Sequence, residues 1–337
     1  MRKENFFLNL ADGTELWIDR WIPDECVEIK GIIQFHIGME EWTKRYNELG
    51  TFFSDSGYVF NTYDFRGHGI TAQNAIKKKK GLFGKIADKN GFNTAIEDLH
   101  FVIQNCLESF PCKKVVLIGY SFGSFVAQGF IEKYGSELES CVLCGTKGPT
   151  QFINWISTVI GRIDCLFGRD KKASVLEKFP DKMNAKRVPK KLAKKNRLAW
   201  MAADQSVVKA YLLDPMCSKG FVRSFFVDMM GGCLQIHKRK NIQKIPAKLP
   251  ILFVYGEDDP IGAYGKTIRK LKTLYEKNGI MRVEEKVYKG CRHEVFQDYS
   301  KKQVMSDILF WIENSLFAFE PNKNRLLKYL TKNGKIK

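Results

Sequence analysis

The residues most able to do chemistry are Gly119-Tyr120-Ser121-Phe122-Gly123. They follow an apolar run at 114–118 and open a stretch carrying Phe125, Val126 and Ile131 at helical spacing. This is the strand–turn–helix context of a serine held clear of the backbone at a tight corner. Side chains at 119 or 123 would collide with the neighbouring strand and helix. The plainer alternative is a structural or phosphate-cradling glycine turn. A serine hydroxyl is a weak nucleophile and needs a base. Histidines stand at 36, 68, 100, 237 and 293. His293 lies after the run at 282–288 and before the last helical stretch, in a loop at the C-terminal end of the sheet, where open α/β folds build their sites. His100 falls in a helical pattern and reads as packing; His237, followed by Lys238, Arg239 and Lys240, reads as surface. A base of this kind needs an acid to orient it. Asp259, in Gly256-Glu-Asp-Asp-Pro, follows the run at 251–255 and suits the task, with Asp258 its nearest competitor. The order serine, acid, histidine would serve two-step acyl transfer. The intermediate needs an oxyanion hole, with one donor from the N–H of Phe122 and another from the loop Ile37-Gly38-Met39-Glu40.

The elements needed to position these residues are legible as alternation. Residues 6–10 and 15–21 read as two strands joined at Asp12-Gly13, a strong signal for a tight I′ hairpin turn. Residues 31–36 and 58–63 read as strands flanking a helix over 45–56. Ala95, Leu99, Val102, Ile103, Cys106 and Leu107 recur at helical spacing before the strand at 114–118. A helix through Lys133, ended by Gly135, leads to a strand at 140–146. The pattern breaks over about 147–246, which carries helical stretches and no convincing strand, then resumes at 250–256 and 282–288 and closes with an amphipathic helix over 302–316. The expected fold is a mostly parallel sheet with helices on both faces. Residues 1–146 and 247–320 form its core, 147–246 a helical cap insertion, and 321–337 a basic tail.

Composition narrows the class. The chain has 337 residues, 44% of them apolar, enough for one large α/β domain with a substantial core. No stretch approaches the roughly 20 apolar residues of a membrane span. The N-terminal residues lack an apolar leader, so a cytoplasmic location is expected. The nine cysteines show no disulfide spacing, and Cys141-x-x-Cys144 sits in a strand pattern rather than at a helix start. No second ligand pair accompanies it, so neither a metal nor an organic cofactor is expected. The net charge is +18, and residues 169–197 hold twelve Lys or Arg against three acids. Such a segment either draws the protein to anionic membrane surfaces or is solvated surface. No nucleic-acid-binding pattern accompanies it.

Taken together these residues resemble the monoacylglycerol lipase and bacterial lysophospholipase group of α/β-hydrolases, a serine aminopeptidase-like family. Gly38-Met39, Glu41 and Arg45-Tyr46 resemble its H-G-M-x-E-H…R-Y segment, and Tyr63-Asp-Phe-Arg-Gly-His-Gly69 its Y-D-x-R-G-H-G. Gly91-Phe92 and Asp98, the acid segment 256–262 and Cys291-Arg-His293-Glu294 match in turn. Trp200, Asp204, Tyr211, Asp214-Pro215 and Cys217 resemble the cap of the lysophospholipase-like branch. The resemblance implies Ser121 as nucleophile, Asp259 as acid and His293 as base, with Met39 and Phe122 as oxyanion donors. Two positions depart from it: Ile37 and Tyr120 replace the usual histidines, and a histidine stands one place early at His36. Arg66 and His68 read as braces of their loop.

The expected function is hydrolysis of a monoacyl lipid ester, from a lysophospholipid or a monoacylglycerol. Phe152, Trp155, Ile156, Leu212, Phe225 and Phe226 would either line an acyl tunnel or pack the cap on the core. The alternatives are a small-ester carboxylesterase or aminopeptidase of the same chemistry and, in another class, a non-catalytic membrane-surface module. The expected partners are the small lipid or ester substrate and, through the basic cap, an anionic membrane; nucleic acid is not expected.

Overall fold

The computed structural model describes residues 1–111, 113–173 and 185–317. Eight strands form one sheet: β1 (Arg2–Asn9), β2 (Glu15–Ile22), β3 (Gly31–His36), β4 (Tyr58–Asp64), β5 (Val115–Tyr120), β6 (Ser140–Cys144), β7 (Ile251–Gly256) and β8 (Val283–Tyr288). Their spatial order is β1-β2-β4-β3-β5-β6-β7-β8. β2 runs antiparallel to both its neighbours; from β4 to β8 every pairing is parallel. The interior strands β3, β5, β6 and β7 are buried at every position, as continuous apolar runs covered on both faces must be. The edge strand β1 alternates exposed and half-buried residues.

The helices in chain order are α1 (Asn47–Asp55), α2 (Gly69–Lys77), α3 (Gly91–Ser109), α4 (Phe122–Tyr134), α5 (Gln151–Leu166), α6 (Lys190–Lys195), α7 (Gln205–Leu213), α8 (Arg223–Gln235), α9 (Arg239–Ile242), α10 (Lys266–Lys277) and α11 (Lys301–Phe317). Between β6 and β7 the described residues form helices, turns and one isolated bridge, Lys172 with Val222. Apolar side chains from both faces of the sheet join one core, which also takes in Phe221, Phe225, Phe226 and Cys233 from α8 and its approach. Leu198, Met201, Ala202, Val208, Tyr211 and Cys217 form a second, smaller cluster with Trp42 and Trp200.

The structure departs from the sequence reading in places. The β1–β2 turn is longer than a two-residue I′ turn: Leu10 N–H bonds Thr14 O at 2.8 Å, and only Gly13 in it has positive φ, at 80°. The helix expected over 45–56 is a 3₁₀ turn, Thr43–Tyr46, followed by α1. Gly135 does not stop the chain in a left-handed cap; it is right-handed and begins another 3₁₀ turn. Residues 174–184 of the basic segment and the tail at 321–337 lie outside the described residues.

The parallel register brings strand ends together. His36 of β3 pairs with Gly119 of β5, Tyr120 with Cys144 of β6, and Gly256 of β7 with Tyr288 of β8. The loops leaving β3, β5, β7 and β8 therefore emerge at one edge, and they carry the residues singled out above.

Candidate active site

Ser121 joins β5 to α4 with φ 51° and ψ −118°, a conformation that costs a non-glycine residue about 1–3 kcal/mol. Its surroundings hold it there. Ser121 N–H donates to Cys144 O at 2.9 Å, and Ser121 O accepts from Ser124 N–H at 2.9 Å and Ser124 O–H at 2.5 Å. The flanking glycines are steric necessities. A Cβ at Gly119 would lie 2.5 Å from Gly123 O, and one at Gly123 would lie 2.3 Å from His36 O. The turn is thus pressed between the start of α4 and the end of β3. Phe122 takes the first position of α4, where N–H groups have no intrahelical partner and the helix dipole is positive.

The base and the acid come from the loops after β8 and β7. His293 Nε2 lies 2.8 Å from Ser121 Oγ, and His293 Nδ1 lies 3.0 Å from Asp259 Oδ2. Asp259 is fully buried; its other oxygen accepts Ile261 N–H at 2.9 Å. Asp258, the competing acid, is instead engaged with Arg187 at 2.8 Å. Its N–H bonds Cys291 O at 3.0 Å, tying the acid turn to the histidine loop. Burial disfavours the charged form of His293, but the adjacent Asp259 carboxylate and its hydrogen bond outweigh burial, with Glu294 and Glu41 adding to them. The imidazole is therefore held above its ordinary value.

The loop after β3 passes close to the serine. A Cβ at Gly38 would lie 2.8 Å from Glu41 Oε1 and 3.2 Å from Ser121 Cβ, so a side chain there would have to push both aside, and Met39 follows directly. Gly38 N–H donates to Glu41 Oε1 at 2.6 Å. Glu40 has φ 59°; its carbonyl accepts Ser218 N–H at 3.0 Å and Tyr211 O–H at 2.9 Å, and its carboxylate accepts Gly220 N–H at 2.7 Å. The histidine loop is tied to the inserted region in the same manner. Glu294 N–H bonds Met201 O at 2.8 Å, Arg292 donates to Ala199 O and Ala202 O at 2.6 and 2.9 Å, and Asp298 accepts the N–H groups of Ala203 and Asp204 at 2.8 and 3.0 Å.

The remaining histidines stand apart from this chain of hydrogen bonds. His36 is buried among Tyr63, Phe65 and Phe122, and burial brings its pKa down to about 4. His68 stacks on Phe65 at 3.8 Å, and burial brings it down to about 3. Arg66 bonds the Asp98 carboxylate at 2.7 and 2.9 Å and Asp12 at 2.6 Å, fixing the loop after β4. His100 stacks on Tyr134 at 3.8 Å. His237 is not surface: it is 5% exposed just beyond the end of α8, and burial, with Lys147 nearby, brings it down to about 3. Its basic neighbours take the solvent side of that turn while the imidazole turns in.

The apolar residues expected either to line an acyl tunnel or to pack the cap on the core divide. Phe225 is buried against Phe122 at 5.0 Å, and Phe226 is buried beside it. Phe152, Trp155 and Leu212 are 72%, 57% and 47% exposed and face solvent, neither packed on the core nor lining an interior. For Phe152 and Trp155 the reason is the orientation of α5: Asn154, Thr158 and Gly161 face inward, while Phe152, Ile153, Trp155, Ile160 and Ile163 face outward; Leu212 lies on the exposed side of α7. Trp200, quoted only for resemblance, has its ring 5.6 Å from that of His293. Among the described residues no group of three or more His, Cys, Asp or Glu is arranged to hold a metal ion. No helix among them is long and apolar enough to cross a membrane.

Residues 27–300 match the family described as serine aminopeptidase, S33. The chain belongs to that family. This S33-family chain is 22% identical over 315 residues to a monoacylglycerol lipase of Mycolicibacterium smegmatis, covering 94% of this chain and 98% of the relative. Its fold is shared with a thermostable carboxyl esterase of Bacillus coagulans solved with glycerol (TM-score 0.82, 24% identity, 93% of this chain and 99% of that one). It is shared also with a soluble variant of monoglyceride lipase from Saccharomyces cerevisiae bound to a substrate analogue (TM-score 0.70, 21% identity, 94% and 95% covered). The fold is therefore the α/β-hydrolase fold that the family resemblance implies, built on the mostly parallel sheet expected from the alternation of strands and helices.

Proposed function

We propose that this S33-family chain is a serine hydrolase of monoacyl lipid esters, with Ser121 as nucleophile, His293 as base and Asp259 as the acid that orients it. The observation that carries the reading is the unbroken chain from Ser121 Oγ to His293 to Asp259, at 2.8 and 3.0 Å, starting from a serine in a strained turn. His293 Nε2 takes the hydroxyl proton as Ser121 Oγ attacks the ester carbonyl carbon. The carbonyl electron pair moves onto oxygen, where the N–H groups of Phe122 and Met39 stabilise it. Collapse expels the alcohol oxygen, which takes the proton from His293. Water then gives a proton to His293 and its oxygen attacks the acyl carbonyl carbon; collapse breaks the bond to Ser121 Oγ, which takes that proton back from His293, and the fatty acid leaves. Phe122, next to the nucleophile in sequence, packs on Phe225, which packs on Phe221, and apolar surroundings of this kind suit an acyl chain; the name of the Mycolicibacterium relative points the same way.

Residues 147–246 act as the cap in this reading, and α5 is its membrane-facing part. Support comes from the outward Phe152, Trp155, Ile160, Ile163, Leu166 and Phe167 and from exposed Arg162, Arg169, Lys171 and Lys172 close by in sequence. Apolar and aromatic residues with flanking cations suit the surface of an anionic bilayer. The test of the chemistry is fatty-acid release from a monoacylglycerol and a lysophospholipid side by side, with Ser121→Ala as control. Release lost in the variant supports the lipid reading and ranks the two head groups. Turnover of short soluble esters alone would move the assignment to a carboxylesterase, and of aminoacyl amides alone to a peptidase. No turnover by folded protein that still binds vesicles would favour the non-catalytic module.

A further inference from the structure

The two loops that must act together on the substrate are joined by one buried side chain. Arg45 donates to Glu294 Oε2 at 3.0 Å and also pairs with Glu41; the side chains of Arg45, Glu41 and Glu294 are only 10%, 2% and 3% exposed. Glu41 in turn accepts Gly38 N–H at 2.6 Å and Tyr46 O–H at 2.8 Å. Gly38 precedes Met39, and Glu294 follows His293. A continuous polar path therefore runs from the backbone beside one oxyanion donor, through Glu41, Arg45 and Glu294, to the backbone beside the base. Arg45 is itself held in place: its guanidinium lies 5.0 Å from the Tyr211 ring centre, and its carbonyl accepts Gln297 Nε2–H at 2.9 Å.

We propose that Glu41, Arg45 and Glu294 form a positioning clamp that fixes the oxyanion loop and the histidine loop relative to each other across Ser121. The proposal rests on the reading of Ser121, His293 and Asp259 as the triad. The chemistry needs such a clamp. Oxyanion donors work only if they already point where charge develops, and the base must stay within hydrogen-bond reach of the serine. The two loops are some 250 residues apart in sequence, and their strands β3 and β8 are not neighbours in the sheet. A planar guanidinium that meets one carboxylate on each side fixes orientation as well as distance. Burial raises Glu41 above the ordinary carboxylate range; Arg45 opposes the rise and Glu294 adds to it. The charged groups acting on His293 are Asp259, Glu294 and Glu41, while the rings of Tyr120 and Trp200 flank it.

The experiment compares Glu41→Gln, Glu41→Ala, Arg45→Lys and Arg45→Met with the wild type. It measures kcat and KM on a short soluble ester, the pH profile of kcat/KM, the rate of fluorophosphonate labelling at Ser121, and thermal unfolding. Glu41→Ala should lower kcat by about 10²–10³, the effect of losing one oxyanion donor, with KM little changed. Glu41→Gln keeps a neutral acceptor for Gly38 N–H and should recover at least about tenfold of that loss. Both Glu41 variants remove a negative charge near His293 and should move the acid limb to lower pH. Arg45→Met leaves Glu294 unpaired beside His293 and should move it to higher pH; Arg45→Lys keeps the charge, loses the fork, and should lower kcat with the limb nearly in place. Folded variants with wild-type kcat per labelled serine and an unmoved acid limb would overturn the clamp. Should Glu41→Ala not fold, the near-isosteric Glu41→Gln decides by its acid limb. A wild type that turns over ester yet is not labelled at Ser121 would overturn the triad reading beneath the clamp.

Discussion

Ser121 cannot relax without breaking its own packing, because both flanking glycines are closed in by backbone. Gly123→Ala would force its Cβ against His36 O, now 2.3 Å from that position. The expected outcome is loss of esterase activity together with a lower Tm. For Asp259→Asn we expect kcat to fall by about 10⁴, since the amide no longer selects the tautomer that leaves Nε2 free for the serine. The pH profile gives an independent measure. The pKa of His293 is raised, so its proton stays on to higher pH and the basic form is lost as pH falls through that raised value. The acid limb of kcat/KM should therefore lie above about 6.5, the unperturbed imidazole value, and Asp259→Asn should move it down. Ser121, His293 and Asp259, which the structure brings within hydrogen-bond reach of one another, are all residues that the sequence singles out, because each sits at the end of a recognisable strand. Arg45 is different. Its neighbour in space, Glu294, is distant in the chain, and no local spacing encodes that pairing. The buried state of His237 was hidden for a similar reason: its basic neighbours mimic a surface turn.

The strands were legible because an interior parallel strand is a short continuous apolar run, and 31–36 needs no correction at either end. Helices were legible where their spacing is strongly periodic, as in α3. Residues 266–277, for which the sequence reading sets out no element, form α10, with Ile268, Leu271 and Tyr275 on its buried face. The orientation of α5 is not legible in the sequence. Its pattern is amphipathic, and amphipathicity alone does not say which face is inward. Here small and polar residues are inside and large apolar ones outside. A consequence is that Trp155→Ser with Ile160→Ser should weaken co-sedimentation with anionic vesicles by tenfold or more while sparing short-ester hydrolysis. Unchanged vesicle binding, with a dimer that dissociates on substitution, would assign this face to a second copy of the chain instead.

Over the whole molecule, charge and insertion work together. With a net charge of +18 the protein should be drawn to anionic surfaces, and the attraction should weaken steeply with salt. Neutralising Lys190, Lys191, Lys194 and Lys195 should reduce vesicle binding at low ionic strength, whereas the α5 substitutions should reduce it at any ionic strength. Fold class was legible at this scale because a single interruption in a regular alternation is hard to mistake. The ties between the inserted region and the site were not, since Glu40, Arg292 and Asp298 make them through backbone groups of residues 199–220. They anchor the inserted region on the loops that carry Met39 and His293, and Arg187 ties it through Asp258 to the loop that carries Asp259.

Everything proposed for the chemistry depends on Ser121 being a nucleophile activated by His293. The most direct measurement is fluorophosphonate labelling mapped by peptide mass spectrometry in the wild type and in His293→Ala. The proposed triad predicts one label per chain on Ser121 in the wild type and labelling slowed by at least about 10³ in the variant. A folded wild type labelled on no residue, on another serine, or at the same rate without His293 would contradict it.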